Sequence, residues 1–183
     1  MDDIAKTQEL RPLVIDEQKL QEGQEKVRKM IAANAPLSEI LETLVLMIEG
    51  QSPHMLCSVL LLSEDGNHIR HGAAPNLPDN YVKAINGAPI GPKAGSCGTA
   101  MYRGEPVVVT DISSDPLWED YRDLTAGTGL RACWSTPIMS RRGKVLGSFA
   151  MYYRRPQSPT AVEARLTEIA TKLAAEAIEH QQR

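Results

Sequence analysis

The spacing of apolar residues changes twice along this chain, and that change limits the folds open to it. In "NAPLSEILETLVLMIEG", Leu37, Ile40, Leu41, Leu44, Met47 and Ile48 recur at three- and four-residue steps, the mark of one buried helix face. A few residues on, "MLCSVLLLS" is apolar almost without a break, as a central strand should be. The helical step dominates again at the end, in "SPTAVEARLTEIATKLAAEAIEHQQR". There Val162, Leu166, Ile169, Leu173 and Ala177 form a seam, and Thr160 with Glu163 spells a capping box. Strand signals interleaved with short helices fill the interval. Helix, strands, helix is the order of an α+β domain on an antiparallel sheet, with both terminal helices free to pack on one face.

Punctuation residues refine this outline. Residues 1 to about 16 hold no sustained period and contain Pro12, so they read as a loose arm. From Asp16 to Ala33 the chain is charged and Gln-rich, with Leu20, Val27 and Ile31 on one stripe and Gln24 as its polar gap; a long, mostly solvated helix is expected. "EDGNHIRHGAA" supplies an Asp-Gly turn and a strand, "NLPDNYVKAI" a short helix, and "GAPIGPKAG" a loop. A further helix runs from near Ser96 to Gly104, and "EPVVVTDI" is a strand. "SSDPLWEDYRDLTAGTGL" should carry one helix, capped by Asp115, opened by Pro116 and stopped by Gly127 and Gly129. "RACWSTPIMS", a turn at "RRGK", and "VLGSFAMYYRR" make a hairpin. Residues 1–33 are thus an arm and a linker or dimerisation helix, and residues 34–183 the domain proper.

At 183 residues and 20.1 kDa, two full domains would be cramped. A net charge of −3, with Lys and Arg scattered, offers no basic face, so no nucleic-acid partner is expected. The runs "LVLMI" and "VLLL" are too short to span a bilayer and the acidic start is no secretory signal, so no membrane partner and a cytoplasmic location are expected. Three cysteines without CxxC suit a reducing compartment. His54, His68, His71 and His180 lie in unrelated contexts, and no metal site or cofactor is assigned.

The segments "PLSEILETLVLMIE", "GSCGTA", "DPLW-x-x-YR" and "RACWSTPI", in that order, resemble a bacterial GAF domain over roughly Ala35 to Glu179. The resemblance is to the subgroup found beside PAS, diguanylate cyclase, cyclic-di-GMP phosphodiesterase and histidine-kinase modules. It implies a six-stranded antiparallel sheet with helices on one face and a ligand pocket on the other. It also implies a homodimer through the terminal helices and a signalling output protein as a further partner.

The candidate ligand site gathers around the helix at "GSCGTA", where Ser96, Cys97, Gly98 and Thr99 form the first turn. Unpaired amides and the macrodipole favour a polar or anionic ligand there, Ser96 is a candidate cap, and the same field would acidify Cys97. Cys97 has three readings: pocket lining, a small buried hydrophobe, or a reactive thiol. In the lid segment, Asp115 starts a helix on which Trp118, Tyr121 and Arg122 share a face, suited to a planar or anionic ligand; a core anchor is the alternative for Trp118. On the strand "RACWSTPI", Cys133 and Ser135 share one side while Ala132, Trp134 and Thr136 take the other, and alternation alone does not say which side meets the pocket.

The reading is a small-molecule-sensing regulatory module without catalysis. The main alternative is a reductase: "GSCGTA" looks like the "GVCGTA" segment of GAF-fold free methionine-(R)-sulfoxide reductases. Their attacking cysteine is expected in the segment that here reads "SSDPLWEDYRD", which has none. A ligand-free dimerisation scaffold is the third reading.

Overall fold

The computed structural model describes residues 13–183; most of the expected N-terminal arm lies outside the described residues. Asp16 ends the entry segment by accepting the Lys19 amide at 3.0 Å, and helix α1 runs Glu17–Ala32. Its stripe of Leu20, Val27 and Ile31 is buried. Asn34 turns the chain with a φ of 56°, and α2 follows as Leu37–Glu49, with Ile40, Leu41, Leu44, Val45 and Ile48 inward. The last helix, α6 (Ala161–Gln181), opens on the expected capping box between Thr160 and Glu163. It buries Leu166, Ala170, Leu173, Ala174, Ala177 and Ile178, while Val162 and Ile169 from the expected seam stay half-buried. Glu17 pairs with Arg165 near the start of both terminal helices, and Asn34 meets His180 at 2.7 Å near their ends, so α1 and α6 run parallel.

The strands are β1 (Leu56–Leu62), β2 (Ile69–Ala73), β3 (Val107–Val109), β4 (Ala132–Met139) and β5 (Val145–Tyr153). They form one antiparallel sheet in the order β2-β1-β5-β4-β3. The expected sixth strand is not seen among the described residues. Residues 87–90 lie where it would be, bonded to the outer edge of β2 through Ile69 N to Ala88 O (2.8 Å) and Ile90 N to Asn67 O (2.9 Å). Only one bridge forms, between His68 and Pro89, because the amides that would extend the ladder are used elsewhere: Ala88 N donates to the Ile85 carbonyl at 3.1 Å and Asn67 N to Asp65 Oδ1 at 2.8 Å.

Helices α1, α2 and α6 cover one face of the sheet. Val59, Trp134, Phe149, Met151 and Tyr153 point into that core. The other face carries the short helices α3 (Asp79–Ile85), α4 (Cys97–Arg103) and α5 (Arg122–Thr125), and receives Leu60, Cys133, Ala150 and Tyr152. No helix among the described residues is long and apolar enough to cross a membrane.

Because α1 completes the helical core, truncating its stripe should unfold the domain more readily. Leu20→Ala is expected to cost about 2–3 kcal/mol in urea unfolding, against roughly 0.5 kcal/mol or less for Leu46→Ala on the exposed face of α2.

Candidate functional site

The sheet alternation left open by the sequence resolves in favour of Cys133 and Ser135 facing the site, with Ala132 and Trp134 in the helical core. Trp134 donates its indole N–H to the Gln157 carbonyl at 3.0 Å and packs on Tyr153 with ring centroids 5.1 Å apart. It is a core residue.

Above this floor sits α4. Gly95 precedes it with a φ of +65°, which lets the loop turn at a position where a side chain would be strained. A Cβ there would lie 3.5 Å from the Trp118 ring, so the indole rests directly on the glycine backbone. Ser96 does not cap α4. Its own backbone is already helical, and its hydroxyl donates to the Cys133 carbonyl at 2.9 Å while accepting the Trp118 indole N–H at 3.0 Å. One hydroxyl thereby joins helix, floor and lid. Thr99 braces the preceding loop, accepting the Ala94 amide and donating to Gly95 O.

The lid is not the single helix expected. Asp115 does cap, accepting Leu117 N at 2.9 Å, and Pro116 follows; but the turn Pro116–Trp118 is a 3₁₀ helix, and α5 begins afresh at Arg122. Trp118 and Arg122 therefore do not share a helical face. Arg122 donates to the Ile112 and Asp115 carbonyls at 3.2 and 2.8 Å, holding the loop together. Lys93 and Glu119 form an exposed ion pair that ties the segment before α4 to the lid. Exposed pairs of this kind contribute little, so this latch opens easily.

Beneath Trp118 lies a cavity of about 20 Å³, room for roughly one water. Ser96, Cys97, Gly98, Trp118 and Tyr121 line it, joined by Tyr81 and by apolar residues from β1, β2 and α3. Asp115, Arg122 and Thr99 do not reach it, and Cys133 and Ser135 lie under Cys97 rather than in its wall. The sequence reading missed Tyr81 and Tyr152. Their hydroxyls meet at 2.8 Å, their rings pack edge to face, and Tyr81 stacks near Trp118 with centroids 6.4 Å apart. The alternation of Ser148, Ala150 and Tyr152 along β5 was the signal that could have found Tyr152.

Cys97 is 5% exposed. Its sulfur lies 2.8 Å from Ser135 Oγ and 3.8 Å from the Tyr152 hydroxyl, and Cys133 Sγ lies 3.9 Å from the same Ser135 Oγ. A thiolate at Cys97 collects hydrogen bonds from Cys133, Ser135, Tyr152 and Ser148, which outweigh burial and bring its pKa down to about 7; Ser148 is a donor only to this thiolate. Burial pushes the Cys133 and Cys57 thiols, and the Tyr81 and Tyr152 phenols, well up. The hydroxyls of Ser58 and Ser148, on the site side of β1 and β5, are buried without any partner. No group of metal-ligating side chains is found among the described residues.

This arrangement is an antiparallel sheet with a small enclosed cavity under a tryptophan lid, and comparison with known proteins bears on which family builds it. A family model described as GAF domain matches residues 35–179, and the chain belongs to that family. It is 37% identical over 180 residues to the "Methyl sulfide methyltransferase-associated sensor" of Methanosarcina acetivorans, covering 98% of this chain but only 17% of that protein's length. Among solved structures it resembles a domain described as a two-component sensor histidine kinase protein of Sinorhizobium meliloti 1021, at TM-score 0.62 and 24% identity, covering 80% of this chain and 92% of that one. It also resembles the free methionine-R-sulfoxide reductase of Neisseria meningitidis bound to its substrate, at TM-score 0.67 and 14% identity, covering 93% and 95%. At these identities the solved structures establish the fold alone.

Two measurements probe the geometry. Trp118→Ala, which removes a side chain that is 2% exposed, is expected to cost about 3–5 kcal/mol in denaturant unfolding. The second is pH. Cys97 has a folded pKa of about 7, below its unfolded value, so its contribution is lost as pH falls through about 7 and grows as pH rises toward the unfolded pKa. Above that, Cys57 and Cys133, held protonated by burial, turn the slope the other way. Thermal unfolding from pH 6 to 8 should show a rise in the native chain that Cys97→Ser lacks.

Proposed function

We propose that this chain is the sensing module of a regulatory protein, and that it takes a small polar ligand into the cavity under Trp118. The observation that carries the reading is the buried polar floor: two hydroxyls, Ser58 and Ser148, have no hydrogen-bond partner on the site side of β1 and β5, beyond the wall of the closed cavity and within reach of a ligand once the lid is displaced. Buried hydroxyls left unpaired are costly, and a ligand or water that bonded them would recover that loss. The sensor-named relative agrees with a regulatory role.

Binding anything larger than a water requires Trp118 to leave its seat on Gly95 and Ser96. Opening would break the Lys93–Glu119 latch and the indole hydrogen bond, and both lie on the lid. No cationic side chain lines the cavity and the Cys97 thiolate would repel an anion, so a neutral polar molecule suits it better than a free oxyanion. Ligand-binding roles are assigned to Ser96, Cys97, Gly98, Trp118 and Tyr121, with Cys133 and Ser135 setting the floor. Asp115, Arg122 and Thr99 position the loops.

The output would run through α1 and α6, to a second copy of the chain or a signalling partner in the cytoplasm. The buried stripes of both helices are used within the chain, so a homodimer would form through their outer faces. Oligomeric state should be read by sedimentation on the full chain, since removing residues 1–33 would strip Leu20, Val27 and Ile31 from the core. A catalytic role is disfavoured because the lid presents Trp118, Tyr121 and Arg122 and no cysteine.

The test is a thermal-shift panel on reduced protein, with neutral amino acids, cyclic mono- and dinucleotides, oxyanions and methionine sulfoxide. A ligand at a hundred times its Kd should add about 2.7 kcal/mol, a plain rise in Tm for a domain of this size. In a Trp134→Phe background the same ligand should shift the emission of Trp118. Turnover of methionine sulfoxide would replace sensing with reduction, and silence across the panel would leave a scaffold.

A further inference from the structure

We infer that Cys97 and Cys133 form a thiol pair that a hydroperoxide oxidises to a disulfide, making the site redox-responsive in its own right. The two sulfurs share one hydroxyl, Ser135 Oγ, at 2.8 and 3.9 Å. They come from separate elements, α4 and β4, so a bond between them would weld helix to floor. Ser96, adjacent to Cys97, is already bonded to the Cys133 carbonyl, which holds the two backbones together before any sulfur bond forms. The third cysteine, Cys57, points into the opposite core under α1, α2 and α6 and serves as an internal control.

The surroundings select the oxidant. Cys97 lines a cavity of about 20 Å³, room for roughly one water, so a bulky disulfide or quinone is excluded, while hydrogen peroxide, one oxygen atom larger than water, needs the smallest displacement of Trp118. Around its sulfur stand the hydroxyls of Ser135 and Tyr152, the Cys133 thiol and, next to Tyr152, Tyr81, all neutral donors. These are the groups that steady a thiolate and then the departing hydroxide.

The steps balance. The Cys97 thiolate attacks one oxygen of hydrogen peroxide; the O–O bond breaks, a sulfenic acid forms, and the departing hydroxide takes up the proton Cys97 had released, leaving as water. Cys133 sulfur then attacks Cys97 sulfur; the S–O bond breaks, the disulfide forms, and the second hydroxide leaves as water with the Cys133 proton. Two thiols lose two electrons and two protons, and one peroxide takes them up to become two waters.

The inference stands apart from the ligand reading, because the ligand panel is run on reduced protein and this test uses none of those ligands. The full chain is treated with hydrogen peroxide, blocked with an alkylating agent under denaturation, digested and mapped by mass. Of the three free cysteines, two should be lost to alkylation, with the Cys97 and Cys133 peptides joined at a mass about 2 Da below their sum, and the thiols restored by a dithiol reductant. In Cys133→Ala the sulfenic acid at Cys97 should persist and take up dimedone once the protein is denatured, while Cys57→Ala should behave as the native chain. Three alkylatable thiols after treatment, a disulfide involving Cys57, or Cys97 driven to sulfinic acid with Cys133 still free would each overturn it. The mapping on the native chain needs no variant, so a failure of either substitution to fold leaves the test intact.

Discussion

Strand β5 is shared between two cores, and the period of two along it decides what each core contains. Phe149, Met151 and Tyr153 enter the packing of α1, α2 and α6, while Ser148, Ala150 and Tyr152 enter the site. Because β1 and β4 are bonded to β5 on either side, their residues inherit the same division: Val59 against Leu60, Trp134 against Cys133. A slip of one residue would put a serine, an alanine and a second tyrosine into the helical core in place of Phe149, Met151 and Tyr153, and would expose those apolar side chains to the polar face. The apolar side holds the register, and the polar side is free to be chemically specialised.

That specialised side depends on Ser96. Its hydroxyl uses both its donor and an acceptor position, one toward the Cys133 carbonyl and one toward the Trp118 indole. With the side chain committed in this way, α4 goes without a cap of its own, a loss of about 1 kcal/mol set against a lid and floor held in one geometry. Trp118 is then fixed at three points: the glycine beneath it, the hydroxyl at its edge and the Tyr81 ring nearby. The closed state is well packed, and only the exposed Lys93–Glu119 pair and the loop bonds of Arg122 hold the remainder of the lid.

Features set by local chemistry were legible in the sequence, and features set by distant partners were not. The Asp16 start of α1, the stripe of Leu20, Val27 and Ile31, the Thr160–Glu163 box and the Asp115–Pro116 turn each rest on residues within a few positions of one another. The lid helix broke because burial of Trp118 and the bonds of Arg122 to backbone carbonyls outweigh the helical preference of the short segment between them. The sixth strand was lost because the amides of Ala88 and Asn67 turn back to the Ile85 carbonyl and the Asp65 carboxylate, which no spacing in "GAPI" announces. Tyr81 and Tyr152 stand 71 positions apart, so no spacing rule could join them, and the facing of Cys133 was fixed only by the apolar side of its own strand.

The site and the terminal helices are contiguous through these same strands. Cys133 touches the site and its neighbour Trp134 packs on Tyr153, whose hydroxyl donates to Glu163 at 3.4 Å. Glu163 also closes the capping box that starts α6. A displacement of the floor therefore meets, within a few side chains, the group that fixes where α6 begins. Contiguity alone transmits nothing: a ligand shifts α6 only by the difference in its affinity for two arrangements of this path. The site provides such a difference. With Trp118 seated, the cavity is too small for an organic ligand; with Trp118 displaced, there is more room but the indole loses its bond to Ser96. Since Ser96 also holds the Cys133 carbonyl, lid opening and floor position are set by one hydroxyl, and a ligand that binds only the open lid acts on both.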